Sequence, residues 1–114
     1  MDNIILNDVK ISCGIVPDHT GFDNVLILDT NTVFMILNQI GVGPAKGFRL
    51  VTGKETWDEY IDNDCENYEA VKTYVGLKVK MLFDPPTSST LMTCLKEAIA
   101  ECEWRLNFNA ELSK

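Results

Sequence analysis

"VKTYVGLKVKMLFDPPTSSTLMTCLKEAIAECEWRLNF", residues 71–108, decides the fold. Val71, Val75, Val79 and Leu82 recur every three or four residues, and Tyr74, Leu77 and Met81 form a second stripe beside them. That is the helical repeat, and it predicts a helix over 67–83 with Lys72, Lys78 and Lys80 as its polar relief. Gly76 in its middle costs up to ~1 kcal/mol relative to Ala, and its missing side chain would admit the close approach of another helix. Pro85 then bars Asp84 from helical geometry and ends the run. Thr87, Ser88 or Ser89 caps the next helix, or Asp84 caps it directly with Pro85 in the first turn. That helix is expected from about Ser89 to Phe108, with Leu91, Leu95, Ala98, Ile99, Cys102 and Leu106 as its apolar stripe. "FDPPTSS" is a rigid corner, so the two long helices should lie side by side as an αα-hairpin.

Upstream, the apolar positions Phe22, Val25, Leu26, Val33, Ile36, Leu37 and Ile40 predict a second long helix, interrupted midway by Asp29. Thr20 or Gly21 would cap it and Asp23 suits its first turn. "GVGP" at 41–44 ends it by Gly and Pro together. Ile27, Leu28 and Met35 lie off the stripe, so this helix is apolar on more than one side, as a central helix or one with an oligomer face would be. "NDVKISC", 7–13, reads as a short helix with Gly14 as its C-cap. "FRLVTG", 48–53, is β-prone and reads as a strand or an extended loop. Thr52 or Thr56 would cap a short helix in which Trp57, Tyr60 and Ile61 share a face. The expected fold is therefore all-α: a small helical bundle with a C-terminal αα-hairpin and at most one short extended segment near 48–52. A chain of 114 residues is one domain by default, with a loose tail expected from about residue 109.

Bulk properties narrow the function. The net charge is −7, which argues against binding nucleic acid through its phosphates. No apolar run approaches the ~20 residues that span a bilayer. The opening "MDNIILNDVK" lacks the basic flank of a signal peptide, so the expectation is a cytoplasmic product with no export signal. Between Glu55 and Glu69 there are seven acids and no Lys or Arg. Asp58, Glu59, Asp62 and Asp64 within it read as a solvated face and polar loop, or as an electronegative surface that repels DNA or meets a basic partner.

Cys13, Cys65, Cys94 and Cys102 form no C-x-x-C pair, and read as small hydrophobes. His19 stands alone between Asp18 and Asp23 and reads as a loop histidine. "GVGPAKG" is neither phosphate-loop pattern and reads as a turn. "DNDCENYE" lacks the glycine and terminal glutamate of a calcium loop. No catalytic, metal or cofactor motif is present. Trp57, Tyr60, Trp104 and Phe108, with Arg105, are the candidates for a protein interface, where aromatics and Arg are enriched; core packing is the other reading of the aromatics.

The order of elements resembles one family. A short helix "DVKISCGI", an acidic loop, the long helix "GFDNVLILDTNTVFMILNQIGV", a linker and the hairpin around "VKTYVGLKVKMLFDPP" ending in "EWRLNF" are similar to the head–tail connector (adaptor, or head-completion) proteins of long-tailed bacteriophages. The resemblance covers residues 7–108. It implies a structural protein of the virion neck that forms a ring, typically of twelve copies, beneath the portal protein. Such a ring would prolong the DNA channel without gripping DNA, and would present a platform to a head-closure or tail protein. It also implies that Trp104–Lys114 meets the portal. Two other classes remain beside it: a small phage protein-interaction module, such as a regulator or tail-assembly factor, and a helical DNA-binding protein, for which only Lys72, Lys78 and Lys80 could serve.

Overall fold

The computed structural model describes residues 3–62 and 67–112, with side chains to Asn109. Five helices follow in order: α1 (Ile5–Ser12), α2 (Asp23–Ile40), α3 (Trp57–Tyr60), α4 (Tyr68–Phe83) and α5 (Ser89–Leu112). No strand forms among the described residues. Helix α4 is the middle of the molecule: it packs against α5, α2 and α1. Val71, Tyr74, Val75 and Val79 on it are wholly buried.

The corner works as the sequence implies. Asp84 closes α4, its N–H bonding the Lys80 carbonyl at 2.8 Å. Ser88 caps α5: its Oγ accepts from the Leu91 N–H at 3.4 Å and its carbonyl from the Met92 N–H at 2.9 Å. Contacts between the two helices run in opposite order, Asn67 with Asn109 and Tyr74 with Glu103, so the pair is antiparallel. Tyr74 Oη donates to Glu103 Oε2 at 2.6 Å, and burial together with that carboxylate pushes the phenol well above its ordinary range. Helix α5 runs on to Leu112, and Asn109 Nδ2 donates to Asn67 Oδ1 at 2.7 Å.

Gly76 is the closest approach of α1 to α4. A Cβ built there would stand 2.5 Å from Ser12 Oγ, so the side chain is absent where the helices cross. Helix α1 starts at Ile5, two residues before the expected Asn7, because Ile4 enters an antiparallel bridge with Thr56. Two bonds hold the bridge: the Ile5 N–H donates to Glu55 O and the Trp57 N–H to Asn3 O, each at 3.0 Å. Lys10 is buried on α1; its Nζ lies 2.7 Å from Asp23 Oδ1, an ion pair more electrostatic than directional, and donates to Pro17 O at 3.0 Å. This ties the middle of the 13–22 loop and the start of α2 to α1.

Helix α2 differs from its expected register. Its inner residues are Leu26, Thr30, Val33, Phe34 and Leu37, while Phe22 and Val25 are exposed. Phe34 turns inward because Phe48 and Tyr60 meet it, with ring centroids 5.4 and 4.5 Å away. Thr30 is tolerated in the core because its hydroxyl bonds the Leu26 carbonyl at 2.7 Å within its own helix. Phe22, rather than Thr20 or Gly21, is the N-cap residue, and it supplies no side-chain bond. Leu82 and Leu91, expected on the inner stripes of their helices, are also exposed. So is Cys94, read from the sequence as a small buried hydrophobe, whereas Cys13 is buried and Cys65 lies outside the described residues.

The β-prone 48–52 segment is extended without being a strand. The amide of Asn31 takes the place of a neighbouring strand: its Oδ1 accepts from the Leu50 N–H at 2.6 Å and its Nδ2 donates to the Leu50 carbonyl at 3.0 Å. Glu55 then accepts the N–H groups of Val51, Thr52 and Gly53 at 2.9, 3.2 and 3.0 Å. Partial burial pushes its carboxyl up, but these backbone bonds outweigh burial and hold it below its ordinary value. Gly43, at φ +87°, passes over the Tyr60 ring, where a Cβ would come within 2.6 Å.

Two outcomes test this packing. Tyr74→Phe should lower stability by about 1 kcal/mol, the net worth of one intramolecular hydrogen bond, read by thermal or urea unfolding. A Glu55 carboxyl depressed in the fold stabilises above its unfolded pKa of about 4.3 and loses that contribution as pH falls through the folded value. Glu55→Gln should therefore be less stable at neutral pH and flatten the stability profile below about pH 4; an unchanged profile would contradict the assigned bonds.

Candidate protein interface

The aromatic candidates divide into two groups. Trp57 and Tyr60 are buried, at 1% and 4% exposure, in keeping with the core-packing reading of the aromatics. Trp57 Nε1 donates to Asp8 Oδ2 at 2.7 Å, which docks α3 on α1. Thr56 caps that helix, its Oγ1 accepting from the Glu59 N–H at 3.4 Å. Tyr60 packs at a tilt against Phe34 and Phe48; its hydroxyl finds no hydrogen-bond partner among the described residues, and burial pushes the phenol well up.

Trp104 and Phe108 are the opposite case. Four residues apart on α5, they are 63% and 48% exposed, and their rings lie parallel within 6° at 5.4 Å. Between them Leu106 is wholly buried. The helix therefore spends Leu95, Ile99 and Leu106 on α4 and leaves the two aromatics outward. Arg105 is exposed beside them, its guanidinium 2.9 Å from Glu101 Oε1. An exposed pair one helical turn apart contributes only ~0.3–0.5 kcal/mol, so the guanidinium remains available to another carboxylate.

A second apolar surface lies on α2. Val25, Leu28, Thr32 and Met35 share one face at spacings of three and four, and Leu28 and Met35 are 67% and 54% exposed. They border a cleft of about 640 Å³ between α2 and the 46–49 segment, floored by Phe34 and Phe48 and rimmed by Lys46 and Arg49. The hydrophobicity of Leu28 and Met35 off the main stripe was the sequence signal for this face. The two cations were not singled out, because only the fold of the 44–50 loop carries them to α2.

The acidic candidates are partly structural. Asp58, Glu59 and Asp62 are exposed. Asp58 Oδ1 accepts the Tyr68 hydroxyl at 3.3 Å, and Glu59 Oε1 accepts the Thr56 hydroxyl at 3.4 Å. Asp64 lies outside the described residues. His19 is an exposed loop residue with its ring 5.4 Å from that of Phe22. Among the described residues no three His, Cys, Asp or Glu side chains gather as metal ligands, and no helix is long and apolar enough to cross a membrane.

The chain matches the model of the phage connector protein family over residues 5–113 and belongs to that family, a family of structural components of the phage particle. Searches of curated proteins and of solved structures returned no match.

The division of the aromatics is open to a direct check. Trp104→Ala with Phe108→Ala should leave thermal unfolding within about 1 kcal/mol of the parent, since exposed positions cost little. Leu106→Ala, between them, should cost about 2–5 kcal/mol. The reverse order would place the aromatics in the core.

Proposed function

We propose that this connector forms a ring beneath the portal, joining capsid to tail and prolonging the DNA channel, with the C-terminal end of α5 at an intermolecular contact. The exposed Trp104–Phe108 stack is the observation that carries this reading. A parallel aromatic pair held outward on a rigid helix, with a guanidinium beside it, is costly to leave in water and matches the composition of interface anchors. A ring subunit needs apolar surface on two lateral sides in addition to its own core, and the faces of α2 and α5 supply it. Twelve copies on the portal, with a head-closure or tail protein below, complete the assembly that the family implies.

The acid serves the channel in this reading. Asp58, Glu59 and Asp62, whether toward the lumen or the outside, add to a net charge of −7. Phosphate passing such a surface releases no counterions to it and is not retained.

Cosedimentation with purified portal tests the proposal. The parent chain should bind in a fixed ratio of one ring per portal. The folded Trp104→Ala, Phe108→Ala variant should bind at least thirtyfold more weakly, the equivalent of about 2 kcal/mol for a central aromatic anchor. Unchanged binding by that variant would remove α5 from the contact. Asp58→Lys, Glu59→Lys and Asp62→Lys together should raise DNA retention, shown as slower passage of duplex DNA in a mobility assay, with circular dichroism reading whether the fold survives the loss of the Tyr68 and Thr56 bonds. Retention equal to the parent's would detach these acids from the channel.

A further inference from the structure

Resting on the ring reading, we infer that neighbouring copies join head to tail, with the outer stripe of α5 from one copy seated in the cleft between α2 and the 46–49 segment of the next. The two surfaces are the outer faces of α2 and α5, whose inner faces fill the core of the same copy. Each is apolar at its centre. The stripe offers Trp104 and Phe108, and the cleft offers Leu28 and Met35 over an aromatic floor.

Charge fixes which surface meets which. On α5, Glu97, Glu101, Trp104 and Phe108 follow at spacings of four, three and four and so share one face. The cleft's only charged lining residues are Lys46 and Arg49, and neither forms an ion pair with a described residue. Cleft against cleft would set cation on cation; on the stripe Glu97 and Glu101 outnumber Arg105, which pairs with Glu101 at 2.9 Å, so stripe against stripe sets net acid on acid. Cleft against stripe pairs two cations with two carboxylates around an apolar centre, as complementary interfaces do. Because the two patches differ, the contact is heterologous, and repeating it generates a ring when the rotation closes.

Charge reversal tests the pairing. Lys46→Glu with Arg49→Glu makes the cleft acidic; Glu97→Lys with Glu101→Lys makes the stripe basic. Assembly is followed by sedimentation velocity, alone and on purified portal, with circular dichroism confirming that each variant is folded. Each reversed chain alone should lose self-association at least tenfold. Mixing the two should restore it, since each cleft then faces a stripe of opposite charge, and so should a single chain carrying all four changes. Lost assembly without restoration overturns the pairing. Reversed chains that assemble like the parent also overturn it, while leaving the ring intact. A parent chain that never self-associates, free or on portal, overturns the ring and this contact with it.

Discussion

Helix α4 has to be covered on three sides by a chain with few residues to spare, and that constraint organises everything else. Tyr74 and the valines at 71, 75 and 79 are wholly buried, and only a narrow face with Glu69, Thr73 and Leu82 meets solvent. Helix α5 covers one flank, returned there by the Asp84–Ser88 corner. Helix α2 covers the other, and α1 crosses where Gly76 has no side chain to hold it off. Each neighbour contributes its apolar interior face; α5 adds the polar ties of Glu103 on Tyr74 and Asn109 on Asn67, and Asp8 on α1 ties down Trp57 of α3. Buried side chains supply the bulk of the stability, at ~1.5–3 kcal/mol for each large one. The ties fix orientation, since a buried donor left unpaired costs more than its bond gains.

This arrangement determines the surface. Once α4 is enclosed, the outer faces of α2 and α5 have nothing of their own chain to meet, yet both remain apolar. Leu28 and Met35 on one and Trp104 and Phe108 on the other are not overflow from the core, because each helix already fills its inner face with other residues. Leu26, Val33, Phe34 and Leu37 line α2, and Leu95, Ile99 and Leu106 line α5. In a connector, apolar surface separated from the core in this way is best accounted for by other subunits.

The helices were legible where apolar spacing and punctuation agreed. The Pro-Pro corner, the Gly41 stop and the valine ladder of α4 each rest on local chemistry that no tertiary contact overrides. What was not legible depended on distant residues. Phe34 turns inward because Phe48 and Tyr60, far along the chain, converge on it, and α2 rotates accordingly so that Val25 and Phe22 face out. The 48–52 segment has strand composition, but Asn31 satisfies its backbone first. For the site, composition alone could not separate Trp57 from Trp104. Both are aromatic residues at helical spacing, and only the bridge between Ile4 and Thr56, which seats α3 beneath α1, makes one core and the other surface. Arg49 and Lys46 become a patch only when the loop after Gly41 folds back on α2.

The central claim is that α4 closes the core of the single subunit while the outer faces of α2 and α5 wait for other copies. Amide hydrogen exchange, compared between the free chain and the chain assembled on portal, reads this residue by residue, because protection tracks local opening. The account predicts slow exchange through α4 in both states, with added protection on assembly confined to residues 25–39 of α2, the 46–49 segment and residues 97–108 of α5. Strong protection appearing in α4 only on assembly, with α2 and α5 unchanged, would contradict it.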